Sequence, residues 1–282
     1  HGVNRLAVAE ERPGNENAPV CDTATTATLS ADGRWCQKFG YDRWANRLLS
    51  AKAGVGQGSS PLEPAAFSST SNRIAGGNWT YNARGDIETD GEGKKHFYDA
   101  EGRLVAVCAS SVTVANCSDA TSNWAVRYVY DAQGQRVRKD LSNGSSVLYE
   151  YDAQGGLVAE YGGTGTAGTQ YLTVDHLGST RVVTDANQAV VGRYDYEPFC
   201  RELLITPASW RSGVTGYAPV GGLSQRFTSK ERDAETGLDC FGARYLSAAQ
   251  GRFTSPDAPF ADQHMEDPQS WNLYSYVRNK PL

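Results

Sequence analysis

The chain has 282 residues, enough to bury a sizeable core in one large domain or two ordinary ones. Its 27 basic and 32 acidic residues give a net charge of −5 with no basic block, which argues against nucleic acid as the main partner. No apolar run approaches the roughly 20 residues of a membrane helix, and 30 glycines with 15 tyrosines favour strands and tight turns over helices.

In chain order, one unit keeps returning: Tyr-Asp-x-x-Gly/Asn-x-apolar. "HGVNRL" at 1–6 has the form of the tail of a copy. A full copy begins at Tyr41-Asp42 ("YDRWANRL"), and others follow at Tyr81 ("YNARGDI"), at Tyr98-Asp99 with Gly102, at Tyr130-Asp131 with Gly134, and at Tyr151-Asp152 with Gly155. Looser copies begin at Tyr171 and Tyr194, so the later starts fall 21, 20 and 23 residues apart. The unit has a physical sense. Tyr ends an incoming strand and packs its ring on the sheet. Asp accepts hydrogen bonds from turn amides two residues on, and Gly supplies the positive φ that closes the hairpin. Flanking runs such as "WAVRYVY" (124–130), "SVLYEY" (146–151) and "TRVVTD" (180–185) alternate as half-buried strands do. Hairpins of about 20 residues stack side by side into an extended sheet.

Six cysteines punctuate this array: Cys21, Cys36, Cys108, Cys117, Cys200 and Cys240. There is no CxxC, and with four histidines zinc spacing is absent. Cys21 and Cys36 flank two strand-like runs around Ala31-Asp32-Gly33, and Cys108 and Cys117 flank "ASSVTVAN". Each pair is placed to staple a hairpin, as befits an exported protein; six reduced core thiols is the other reading. No phosphate-binding glycine motif occurs, so no nucleotide cofactor is expected and the cofactor expectation is none. Near the C-terminus, Asp267 is a good N-cap with Pro268 at the first helical position, and aromatics follow at three- or four-residue spacing. The pattern predicts a short helix over 268–279.

The C-terminal half also carries "YLTVDHLGSTRVVTD" (171–185), "RFTSKERDAETGLDCFGARYLSAAQGRFTSPD" (226–257) and "NLYSYVRNKPL" (272–282). With the repeats before them, these segments resemble the YD-repeat proteins of the bacterial Rhs family, and 171–282 resembles the Rhs repeat-associated core. The resemblance implies a mostly all-β fold: an extended, curved antiparallel sheet of YD-repeat hairpins (1–170) forming part of a shell, then a core region (171–282) with a short helix. It implies a shell that encloses or presents a C-terminal toxin in a secreted or cell-surface bacterial protein. Its partners would be the N- and C-terminal remainder of its own chain, toxin included. The family's autoprotease motif, DPxG, would fall just past Leu282, and both ends of the sequence look cut within the family pattern. Cys200 and Cys240 stand where the family pattern leads one to expect Gly and Tyr, and two such cysteines are candidates to pair.

Two other classes of function remain open at this point. One is a hydrolase, an esterase or a glycosidase, working in a groove on the sheet; its first suspects are Asp175, His176, Ser179 and Arg181 in "DHLGSTR". Four polar residues on one short turn rarely aim as a triad, no G-x-S-x-G elbow is present, and a rigid turn explains the same residues. The other is a carbohydrate or cell-surface binding module using the six Trp and many Tyr, whose simpler role is packing between strands. Self-association through open sheet edges is a further expectation.

Overall fold

The computed structural model describes residues 5–11, 34–54, 57, 59–120, 122–162, 168–203, 209–217 and 223–281. The architecture is almost entirely β and antiparallel. Among the described residues, β1 (Val8–Glu10), β2 (Trp35–Tyr41) and β3 (Arg47–Gly54) form a three-stranded sheet in chain order. An eight-stranded meander follows: β4 (Thr80–Tyr81), β5 (Ile87–Thr89), β6 (Lys95–Tyr98), β7 (Leu104–Cys108), β8 (Trp124–Tyr130), β9 (Arg136–Leu141), β10 (Ser146–Tyr151) and β11 (Leu157–Gly162). Then come three strands, β12 (Gln170–Val174), β13 (Thr180–Asp185) and β14 (Val190–Arg193). A last sheet holds β15 (Glu231–Arg232), β16 (Leu238–Cys240), β17 (Tyr245–Ser247) and β18 (Arg252–Phe253). The single extended sheet of the sequence reading is thus divided into separate sheets, each neighbour-to-neighbour.

The turns explain the repeat. At Asp131 the carboxylate Oδ1 accepts the amides of Gln133 (2.9 Å) and Gln135 (2.8 Å), while the Asp131 carbonyl accepts from Gly134 at φ 82°. The same five-residue closure occurs at Asp42, Asn82, Asp90, Asp99, Asp152, Asp175 and Asp185. The pairing then slips by one residue just after the turn. Tyr130 pairs with Arg136 but Val129 with Arg138, and Tyr98 pairs with Leu104 but Phe97 with Ala106. The slip recurs at Tyr81, Tyr151, Val174 and Thr184. Such a bulge adds local twist and re-aims one side chain relative to simple alternation.

Several expectations are corrected. The looser copies do not start at Tyr171 and Tyr194: Tyr171 lies within β12 and Tyr194 follows β14, while the turns close on Asp175 and Asp185. A side-chain oxygen acceptor from Asp or Asn and the left-handed residue are what the turn needs, and Tyr is dispensable. The helix over 268–279 is instead two separate 3-10 turns, Pro268–Trp271 and Val277–Asn279. Asp267 does cap the first, accepting from the Gln269 amide at 3.0 Å. Continuation fails where Val277, Arg278 and Asn279 take positive φ, and the Asn272 and Asn279 side-chain amides reach out to carbonyls of a distant turn. Cys108 and Cys117 are joined, Cα–Cα 5.8 Å, but the bond fastens the end of β7 to the turn Val114–Asn116 rather than bridging two strands. Cys36 is disulfide-bonded; Cys21, residues 22–33 and the opening 1–4 lie outside the described residues. Cys200 and Cys240 are free thiols. Cys200 sits in a cluster with Phe39, Phe199 and Phe227, whereas Cys240 packs against the other cluster, with Val126, Tyr128 and Tyr245. Cys200 meets the side chain of Asp239, and Cys240, the next residue of β16, points to the other face of the strand, which keeps the two thiols from pairing.

Candidate functional site: the junction of C-terminal region and hairpin array

Two strands of the meander build the centre of the junction. Lys139 opposes Tyr128 across β8 and β9, and the slip after Tyr130 turns Arg136 to the same buried face. Without the bulge, residues three apart on a strand face opposite sides. Arg136 lies over the rings of Tyr128 (4.9 Å), Tyr149 (5.2 Å) and Tyr245 (5.8 Å). Its Nη1 donates to Asp233 Oδ2 at 2.8 Å and to the Tyr245 hydroxyl at 3.1 Å, and its Nη2 pairs with Glu231. Lys139 Nζ reaches Asp233 at 3.3 Å and Glu235 at 3.4 Å. The Tyr149 hydroxyl donates to Glu231, and Tyr130 and Tyr245 share a hydroxyl contact of 2.8 Å. Each charge from the array therefore meets a carboxylate of the segment 231–235.

Burial disfavours the Arg136 charge, yet Asp233 and Glu231 outweigh it and hold its proton more tightly than usual. Burial pushes the Glu231 carboxyl above the ordinary carboxylate range, although Arg136 pulls the other way. Burial also raises the Tyr149 hydroxyl. Perturbed groups of this kind mark either a catalytic centre or a structural ion network. Here the charges are paired across the junction, Arg136 with Glu231 and Asp233 and Lys139 with Asp233 and Glu235, although Arg136 Nε is buried without an acceptor, and this pairing makes the network an anchor.

A second set of contacts lands on the turns at 42–46 and 82–86. Asn272 Nδ2 donates to the Trp44 carbonyl (3.1 Å) and to Asn46 Oδ1 (3.0 Å), and Asn279 Nδ2 donates to the Ala45 carbonyl (2.9 Å). Arg252 Nη1 donates to Asn46 Oδ1 at 3.1 Å. The Tyr274 hydroxyl donates to the Gly85 carbonyl at 2.7 Å, and the Ile87 amide to the Thr254 carbonyl at 3.0 Å. The C-terminal region thus joins the first sheet to the meander. Two arginines in this zone are fully buried. Burial lowers Arg47 and Arg252 to about 10, and their guanidinium groups lie on rings, Arg47 over Phe199 (4.4 Å) and Arg252 over Tyr274 (4.1 Å).

The hydrolase suspects form a turn. Asp175 Oδ1 accepts the amides of Leu177 and Ser179, both at 2.9 Å, and Oδ2 accepts Arg181 Nε at 2.8 Å. Ser179 is buried and its Oγ accepts the Thr228 amide at 3.0 Å; His176 is exposed. The aspartate is occupied by the backbone and Arg181, so the four residues are not arranged as a relay. The repeat residues Tyr41, Tyr98, Tyr130 and Tyr151 end their strands, and Gly102, Gly134 and Gly155 all take positive φ. Sequence reasoning missed Arg136, Glu231 and Asp233. The one signal was an Arg, shared with Arg47 after the Tyr41 turn, where the outgoing strands of three other hairpins begin with Leu or Ile, as at Leu104, Ile87 and Leu157.

No family model matches the chain, and no curated protein matches it. Solved structures do. The Tc holotoxin pore of Photorhabdus luminescens, in a TccC3 variant, aligns at 20% identity over 89% of this chain with a TM-score of 0.59. A TcdB2-TccC3-Cdc42 structure aligns at 18% over 88% with a TM-score of 0.58, and TcdB2-TccC3 without its hypervariable C-terminal region at 20% over 88% with 0.57. The chain spans about 13% of the length of the chains it matches. The fold is that of the Rhs-type shell walls in these Tc toxin chains, as the sequence resemblance implied.

Proposed function

We propose that this chain is a stretch of shell wall from an Rhs-type polymorphic toxin, exported or held at the bacterial cell surface, which encloses or presents a toxin. The hairpin array, about 1–170, is the wall, and the region 171–282 fastens it. The observation that carries this reading is the Arg136 junction. A wide sheet of short hairpins has been given a buried, cross-paired ion network that holds a second layer against it. The hydrolase alternative draws no support from the Asp175 turn. The aromatic rings behind the carbohydrate alternative are in part committed elsewhere, as with Tyr128, Tyr149 and Tyr245 around Arg136. No helix among the described residues is long and apolar enough to cross a membrane.

The test is protease protection. The chain is expressed with its natural flanking sequence on both sides, and trypsin is added to the purified product. The flank downstream of Leu282 is expected to resist digestion while the same segment alone is degraded. Equal digestion rates would end the enclosure reading.

A further inference from the structure

We propose that this protein forms a two-fold symmetric dimer in which Phe260 of each copy enters a cleft beside Tyr274 in the other. The cleft, about 650 Å³, opens between the turns at 84–85 and 101–102 and the segments 255–259 and 271–274. Pro256, Pro259, Leu273 and Tyr274 give it apolar walls; of its charged groups, Asp257 pairs with Arg244 at 2.7 Å and Glu101 with Arg103 at 2.9 Å, and Arg73 and Arg84 supply further cations. Arg84 pairs with Asp86 at 3.2 Å, but Arg73 has no carboxylate within ion-pair distance among the described residues. Its guanidinium lies over Tyr81 at 5.3 Å and donates to the Asn82 carbonyl at 3.3 Å.

The loop beside the mouth has the opposite character. Phe260 is 81% exposed and Met265 92% exposed. Phe260 also holds φ at 65°, a costly conformation for an aromatic residue, with its ring in solvent. The loop is braced. Arg278 pairs with Asp262 at 2.7 Å and Asp267 at 3.0 Å, and Trp271 Nε1 donates to the His264 carbonyl at 3.0 Å. A braced loop that presents two large apolar side chains to water is pre-organised for a contact. Glu266, next to Met265, is exposed and has no charged partner among the described residues. The cleft therefore has an unmatched cation and an apolar wall, and the loop an unmatched anion and apolar knobs. Because Pro259 lines the cleft and Phe260 follows it directly, knob and hole adjoin. One two-fold axis beside them places each knob in the other copy's hole, the self-complementary arrangement of an isologous dimer. The Phe260 ring would meet arginine planes there, a favourable stacking.

The dimer does not rest on the shell reading. Sedimentation velocity on the full chain, from about 1 to 100 µM, is the measurement. A monomer–dimer equilibrium is expected, and Phe260→Asp should raise its dissociation constant at least about tenfold with no fall in the melting temperature read at concentrations where both proteins are monomers. Arg73→Glu and Glu266→Lys should each weaken the dimer, and the two together should restore it, as matched charges do. A monomer at every concentration would overturn the proposal. So would a dimer indifferent to Phe260→Asp but lost in Val158→Lys, since Val158 lies on the open edge strand β11.

Discussion

At the residue scale the repeat is a hydrogen-bond device, and its positions separate cleanly. Gly85 has φ 100°, and a Cβ there would sit 2.6 Å from the Tyr274 hydroxyl. Gln188 occupies the corresponding place in the Asp185 turn at φ 65°, exposed. Urea unfolding should show Gly85→Ala destabilised by about 2 kcal/mol or more, from left-handed strain plus the displaced hydroxyl. Gln188→Gly should gain about 0.5–1 kcal/mol, because relief of the left-handed cost exceeds the added chain entropy. Two variants shifting the midpoint in the same direction would contradict this account of the turn. A pH signature comes from Glu197, which accepts Gln37 Nε2 and Gln57 Nε2, both at 2.6 Å. Burial raises its carboxyl above the ordinary value, opposed by Arg201 and the two amides. Because the folded value is the higher one, the stabilisation is complete below the ordinary carboxyl value of about 4.3 and is lost as pH rises through the folded value. The melting temperature of the protein relative to Glu197→Gln should therefore fall as pH is raised from about 4 to 8. A constant difference would show that the carboxyl titrates as it does in the unfolded chain.

At the element scale the hairpins were legible and their registers were not. Asp131 and Gly134 announce a turn because each does one local job within five residues. The bulge at Val137 has no composition of its own: it follows from how the closed turn meets a twisting ladder. For that reason the sequence located Tyr130-Asp131 but hid Arg136, whose role depends on which face it is turned to. The failed helix over 268–279 has a different cause. Its local signals were sound, as the Asp267 cap shows, but the Asn272 and Asn279 side-chain amides donate to the Trp44 and Ala45 carbonyls, over 200 residues earlier. Long-range polar contacts of this kind leave no periodic trace in sequence. The junction itself is testable. Arg136→Met should cost about 3–5 kcal/mol, because Glu231 and Asp233 are then buried with Lys139 as their one shared cation and the Tyr149 hydroxyl on Glu231. Thermal and urea melts measure it; a loss under about 1 kcal/mol would show that the ion network is not an anchor.

At the scale of the whole molecule, no strand pairing among the described residues joins the first sheet to the meander; side chains of the C-terminal region bridge the two. Two of its carboxylates are held in local ion pairs. Asp257 pairs with Arg244 at 2.7 Å, and Asp267 caps a turn and pairs with Arg278. Neither of these pairs shares a proton with a second carboxyl, the condition for an aspartyl protease. Purified protein should hold a single intact mass for days between about pH 5 and 8. A discrete fragment by mass spectrometry, absent in Asp267→Asn, would reverse that conclusion.

The turn that closes each hairpin has a consequence for how such a gene can change. Asp131 binds only amides within its own five residues, so copying or deleting a whole hairpin carries the closure along intact. No distant partner has to be rewritten at the same time. Lengthening by tandem duplication is then nearly free of penalty in the middle of the meander, where neighbours are interchangeable. It is forbidden at 42–46 and 82–86, where Asn272, Asn279 and Tyr274 must find one particular turn. Related genes should differ in hairpin number between those two anchors and the Arg136 junction, and keep the spacing at the anchors themselves.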